Sequence, residues 1–200
     1  MLHEQAGALH SGAGLAPAGG DRVGIDPVRG YEYLTRARHT LLAWIRPLVA
    51  TRYAAEFPIG LRTIRTILVH MAGAEWIYNR RLRGETVPPP EERPYTSLYE
   101  EDFEPLERFW LQQAEETHQT LAAIRDWDQP VDYVGVGGDG QRYRQQTTAA
   151  GIAAQLLFHE VHHRAQVMAM LRQLGVAAEN LDFSTLMFET TPADSARKGG

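Results

Sequence analysis

Apolar side chains return every third or fourth position in four stretches of the chain, and each stretch predicts a helix. From about residue 27 to 49, Tyr31, Leu34, Leu41, Leu42 and Ile45 form one stripe, with the stem of Arg38 able to lie along it. Asp26 before Pro27 suits an N-cap with proline in the first turn, and Pro47 weakens the far end. After Pro58-Ile59-Gly60 a second stripe reaches about residue 83: Leu61, Ile64, Leu68, Met71, Tyr78 and Leu82, widened by Ile67, Ala74 and Ile77. Gly84 and Pro88-Pro89-Pro90 stop it, and Arg80, Arg81 and Arg83 near its negative end read as a solvated last turn. Leu106, Phe109, Trp110, Leu121 and Ile124 predict a third helix from about 102–105 to 125. The fourth runs from Thr147 to Leu174, capped by Thr147 or Thr148 and stopped by Gly175.

One stretch changes period. Val131-Asp132-Tyr133-Val134 and Arg142-Tyr143-Arg144 alternate as strands do, around the turn signal Gly137-Gly138-Asp139-Gly140. The expected fold class is therefore all-α: four helices, most simply packed as a bundle, with a small β-hairpin between the third and fourth. Residues 1–24 are rich in Gly and Ala without apolar period and are expected to be flexible, as is the tail 192–200. That leaves residues 25–191 as one domain. The N-terminal stretch has neither the basic start nor the apolar run of a signal peptide.

Composition narrows the functional classes. The chain has 200 residues, a net charge of −5 from 20 Lys+Arg against 25 Asp+Glu, 8 His and no Cys. An acidic balance argues against nucleic acid as partner. Without cysteine there is no disulfide framework, thiolate metal ligand or Cys nucleophile. No apolar run approaches the roughly 18 residues of a membrane span, so a cytoplasmic protein without membrane contact is expected.

The histidines carry the candidate chemistry. At 100° per residue, His159 and His163 join Ile152, Leu156, Val167, Met170 and Leu174 on one stripe of the fourth helix. Four residues apart on one face, their Cβ atoms lie about 5–6 Å from each other, a spacing that lets two imidazoles share one ion. His162 points away, and His70 falls inside the apolar arc of the second helix. Three core-facing imidazoles, His70, His159 and His163, are the candidate metal ligands, a set that leaves coordination positions open for catalysis. His3 and His10 lie in the N-terminal segment, His39 and His118 among polar neighbours. The run His159-Glu160-Val161-His162-His163 also satisfies the H-E-x-x-H pattern of zinc proteases, in which Glu160 is the general base and Glu179 or Glu189 a third ligand. Glu75 falls on the apolar arc of its helix and should be paired or solvated by a cleft; a structural ion pair with Arg164 is the first reading, and contact of Arg164 with an anionic substrate group the second.

Two segments resemble the DinB-like (DinB/YfiT) family of metal-binding four-helix bundles: Leu68-Val69-His70-Met71-Ala72-Gly73-Ala74-Glu75-Trp76, and His159 through His162-His163-Arg164-Ala165-Gln166-Val167 to Leu174-Gly175. The resemblance implies an up-down-down-up bundle, often a homodimer, in which His70, His159 and His163 hold a divalent ion: zinc, nickel, iron or manganese. It also implies a small-molecule substrate and, for some relatives, transfer or isomerisation chemistry with a low-molecular-weight thiol. A thiol arriving as cofactor fits a chain without cysteine. Two departures are visible: Ala165 stands where the family commonly has Gly, at what would be a close helix contact, and Glu160 is not expected from the pattern. The expected function is a metal-dependent, thiol-dependent S-transferase. The alternatives are a metal-dependent hydrolase with Glu160 as base, or a non-enzymatic metal- or ligand-binding protein.

Overall fold

Asp26 caps the first helix, its carboxylate accepting from the amides of Val28 (2.9 Å) and Arg29 (3.5 Å), and the chain runs helical from there. The computed structural model describes residues 24–136 and 140–191. Four long helices lie within them: α1 (Pro27–Ile45), α3 (Ile64–Leu82), α4 (Phe103–Ala123) and α5 (Ala149–Gln173). Two short ones, α2 (Ala50–Tyr53) and α6 (Phe183–Met187), and two 3₁₀ turns at Pro90–Glu92 and Thr96–Tyr99 complete the helical part. Strands β1 (Pro130–Val136) and β2 (Arg142–Thr148) form an antiparallel hairpin, with Pro130 opposite Thr148 and Val136 opposite Arg142. Over the described residues the chain is thus mostly helical with one small hairpin.

The boundaries differ from the expected ones for local reasons. α1 stops at Ile45 instead of reaching residue 49, because Pro47 cannot continue it, and α2 begins separately. α3 starts at Ile64, not Leu61: Thr63 is the cap, its Oγ1 accepting from the Thr66 amide at 2.9 Å. Thr148 ends β2 and caps α5 through the Gly151 amide at 3.1 Å, so the hairpin feeds the last helix directly. Phe183–Met187 is helical although its sequence shows no long apolar period. The turn residues 137–139 and the expected loose ends, 1–23 and 192–200, lie outside the described residues, with His3 and His10.

α3 packs on α5 and α4, and α1 packs on α5 and α4, so the four long helices enclose one core. Leu34, Leu41, Leu42, Ile64, Ile67, Leu68, Leu106 and Trp110 are all at most 1% exposed there. A charged group crosses this core. Arg38 of α1 donates to Oε2 of Glu75 on α3 at 2.6 Å and to Oε2 of Glu160 on α5 at 2.6 Å. Glu75 also accepts from Tyr31 Oη (2.6 Å), Trp110 Nε1 (2.8 Å) and Thr117 Oγ1 (2.7 Å), the last two on α4. Three of the long helices therefore meet at the Glu75 carboxylate, and Arg38 joins α5 to them through Glu160. The cationic partner of Glu75 is Arg38 and not Arg164, whose guanidinium donates to Tyr33 Oη instead. No helix among the described residues is long and apolar enough to cross a membrane.

Candidate metal centre

α3 and α5 bring together the three histidines that the sequence singles out. His70 Nε2 and His159 Nε2 stand 2.9 Å apart. The ring centroids are 4.8 Å apart for His70–His159 and His70–His163, and 4.6 Å for His159–His163. One nitrogen from each residue lies within 4.8 Å of the other two. Two nitrogens, each about 2.0–2.1 Å from a common ion and about 90° apart, would be separated by about 2.9 Å, so the His70–His159 pair fits one divalent ion, and His163 lies near enough for the three to form a group that could hold it. Among the described residues no other three His, Asp or Glu groups converge in this way. Glu179 and Glu189 are exposed and outside the cluster. The third member is His70, because α3 packs along α5 while the segment after α5 turns elsewhere.

The electrostatics favour free lone pairs. Burial, and then the charge of His163, hold His70 down to a pKa of about 4. Burial and the neighbouring imidazoles hold His159 down to about 3. His163 is also lowered, chiefly by burial. All three are neutral at pH 7, the form that binds metal. His163 Nδ1 lies 2.9 Å from Gln166 Oε1. Only an N–H can bond that carbonyl oxygen, so the Nδ1 proton is held there and Nε2 is left as the donor atom. Gln166 Nε2 in turn lies 3.0 Å from His162 Nε2, which keeps exposed His162 in the outer layer. Gly60 backs this arrangement. Its φ of +47° disfavours any side chain, and a Cβ there would sit 2.7 Å from Gln166 Cδ.

Glu160 and Arg164 do not face the cluster's opening. Glu160 is 3% exposed, and both its oxygens meet Arg38, at 2.6 and 3.3 Å. Desolvation raises its pKa against the pull of Arg38. Arg164, 4% exposed, donates to Tyr33 Oη and lies over the Tyr33 ring, 4.9 Å from its centroid. Tyr33 donates on to the Leu181 carbonyl at 3.0 Å, which ties the segment before α6 to α1 and α5. Ala165 is exposed, so it makes no close helix contact.

Two members of the cluster, His70 and His159, line a cavity of about 390 Å³, walled on one side by α3 and on the other by the segment from Pro90 to Tyr99. Gly73 makes that wall possible: the Tyr95 ring packs so close to α3 that a Cβ would meet its Cε2 at 2.5 Å. Tyr78 lies edge-on to His159, ring centroids 6.0 Å apart, and closes the wall of α3. Neither Gln166 nor the Tyr95 wall is visible as a site element in the sequence. Gln166 does follow His163 by three residues on one helix face, the spacing that brings side chains together.

No curated protein matches the chain significantly. A family model described as "DinB family" matches residues 26–195, well over half of its length. The match spans all four long helices, the hairpin and the three histidines, and the chain belongs to the DinB family.

Proposed function

We propose that the protein is a metal-dependent enzyme whose ion is held by His70, His159 and His163, and that it is a thiol-dependent S-transferase: the thiol loses its proton and its sulfur bonds to an electrophilic carbon of a small substrate as the leaving group, or the electron pair of an activated double bond, is displaced from that carbon. The observation that carries this reading is the triangle of neutral imidazoles, two of which, His70 and His159, line a cavity. A divalent ion bound there supplies a Lewis acid that holds a thiol deprotonated near neutral pH. The residues do the rest. Gln166 orients His163, Tyr78 and Tyr95 wall the cavity, and burial keeps the imidazoles unprotonated. Imidazole donors suit zinc, nickel or iron, and family membership also allows manganese. The ring of contacts among α1, α3, α4 and α5 supports an up-down-down-up four-helix bundle, and family membership supports a cytoplasmic homodimer.

The placement of Glu160 does not support the hydrolase reading. A general base must reach its water, and this carboxylate is buried with both oxygens on Arg38. The direct test is an assay of the metallated protein with bacillithiol, mycothiol or glutathione and electrophilic substrates. Turnover that requires the metal and vanishes in His159→Ala is expected. Metal binding without metal-dependent turnover would leave a binding protein, and unchanged metal content in His159→Ala would refute the site.

A further inference from the structure

The cavity does not end at the histidines. Along α3, His70, Ala74, Ile77 and Arg81 follow one another at i, i+4, i+7 and i+11, and all four line it. At 1.5 Å of rise per residue, Arg81 lies about 16 Å along the helix from His70. Arg93 reaches the same end from the opposite wall. It is steadied by Nε on the Pro88 carbonyl at 3.0 Å and Nη1 near Tyr95 Oη at 3.4 Å.

These two guanidinium groups differ from their neighbours on the chain. Arg80 and Arg83 pair with Glu85 at 3.0 and 2.8 Å, as solvated arginines in a last helical turn do. Neither Arg81 nor Arg93 takes part in an ion pair among the described residues. Arg81 is stacked instead, its guanidinium carbon 3.5 Å from the Tyr133 ring centroid, which fixes its plane without neutralising its charge. Its Nε is buried with no hydrogen-bond partner. Burial pulls the Arg81 pKa down, and the nearby Arg93 charge adds to that pull. Two half-buried like charges without a counter-ion are unfavourable unless a ligand supplies the anion.

We propose that Arg81 and Arg93 form an anion subsite that takes a carboxylate of the thiol, whose sulfur end reaches His70, His159 and His163. A rigid, stacked guanidinium matches the planar fork of a carboxylate, and two of them converging give it direction. The subsite therefore selects carboxylate-bearing thiols over uncharged ones, and ligands extended along α3 over compact ones. This inference rests on the functional reading above for the metal end only.

Calorimetric titration of the metal-loaded protein with glutathione and with glutathione diethyl ester tests it. The free acid is expected to bind about tenfold or more tightly than the ester, the equivalent of one charge-assisted hydrogen bond. Arg81→Gln and Arg93→Gln should each erase most of that preference while keeping the metal content of the wild type, and Arg81→Lys should keep part of it. Arg93 is on the 90–99 segment, outside the helices, so its variant leaves their packing intact. Equal affinity for acid and ester, or a preference that survives both Gln variants, would overturn the subsite. S-methylglutathione, titrated into metal-free protein, separates the two readings. Binding that needs Arg93 upholds the subsite even if no thiol turnover is found, and binding unchanged by Arg93→Gln refutes it even if turnover is found.

Discussion

Replacing Arg38 with methionine would leave Glu75 and Glu160 facing each other in a core where they are 1% and 3% exposed. The change removes three charge-assisted contacts, at 2.6, 2.6 and 3.3 Å, and the stacking of the guanidinium 4.3 Å from the Trp110 ring. Removing one partner of a buried ionic group costs about 3–5 kcal/mol, more than the net worth of the contacts, because the survivors stay buried and unpaired. Glu75 keeps Tyr31, Trp110 and Thr117, so Glu160, whose hydrogen bonds both come from Arg38, carries most of the loss. Against a total stability of about 5–15 kcal/mol, the melting temperature should fall by about 6–20 °C. Burial already raises the Glu160 pKa in the folded state, so its unfavourable share is absent below the ordinary carboxyl value near 4.5 and grows as pH rises through the folded value. The deficit of Arg38→Met should therefore shrink between pH 7 and pH 4.5, and Glu160→Gln added to it should restore about 1–3 kcal/mol. Urea unfolding followed by far-ultraviolet circular dichroism measures both. A deficit below about 1 kcal/mol, or one independent of pH, would refute the reasoning.

Three further outcomes are expected. Glu160→Gln should keep its metal and most of any activity, since a neutral amide still accepts from Arg38; loss of nearly all turnover at full metal content would revive the hydrolase reading. Metal-free protein should lose stability as pH falls below about 6.5, where unfolded histidines take up protons while His70 and His159 resist down to about 4 and about 3, so an unfolding titration flat from pH 7 to pH 4 would contradict the burial. Gln166→Leu should weaken metal binding about 10–100-fold with little change in melting temperature, while Gly60→Ala should lower both, losing about 1–2 kcal/mol to its left-handed backbone. A competition titration against a chelator, read beside thermal melts, separates these two variants.

The elements were legible where one physical signal acted alone. Asp26-Pro27, Thr148 and the three- and four-residue spacing of Tyr31, Leu34, Leu41 and Leu42 place the starts of α1 and α5 within a residue or two, while α1 ends four residues short, before Pro47. α3 began late because the apolar Leu61 lies in the turn before its cap, where its hydrophobicity counts for nothing in the periodicity. α6 leaves no period in the sequence because five residues do not complete two helical turns, and Tyr33, holding the Leu181 carbonyl at 3.0 Å, anchors the segment before it. Contacts between distant segments leave no local period. The same holds for the Tyr95 wall, which depends on a missing Cβ at Gly73 on another element.

α5 shows most clearly why the site was only half visible. An apolar stripe drawn through Ile152, Leu156, Val167 and Met170 takes in His159 and His163, yet both are half-buried, and the centre of the buried face is Glu160 and Arg164. Hydropathy discounts charged residues, so it shifts the inferred face toward the histidines and reads the true centre as surface. The error is informative. Glu160 directly follows His159, and Glu75 follows His70 by little more than one helical turn. Arg38 holds both carboxylates at 2.6 Å, so a single guanidinium sets the axial register of α3 against α5 within a turn of the two imidazoles that stand 2.9 Å apart. Apolar packing tolerates a sliding helix better than a directional ionic contact does, and a buried polar group is best attested as a device for register. The ionic clamp in the core and the histidine triangle at its edge are thus two parts of one arrangement: the first fixes where the helices stand, and the second depends on that position to within a fraction of an ångström.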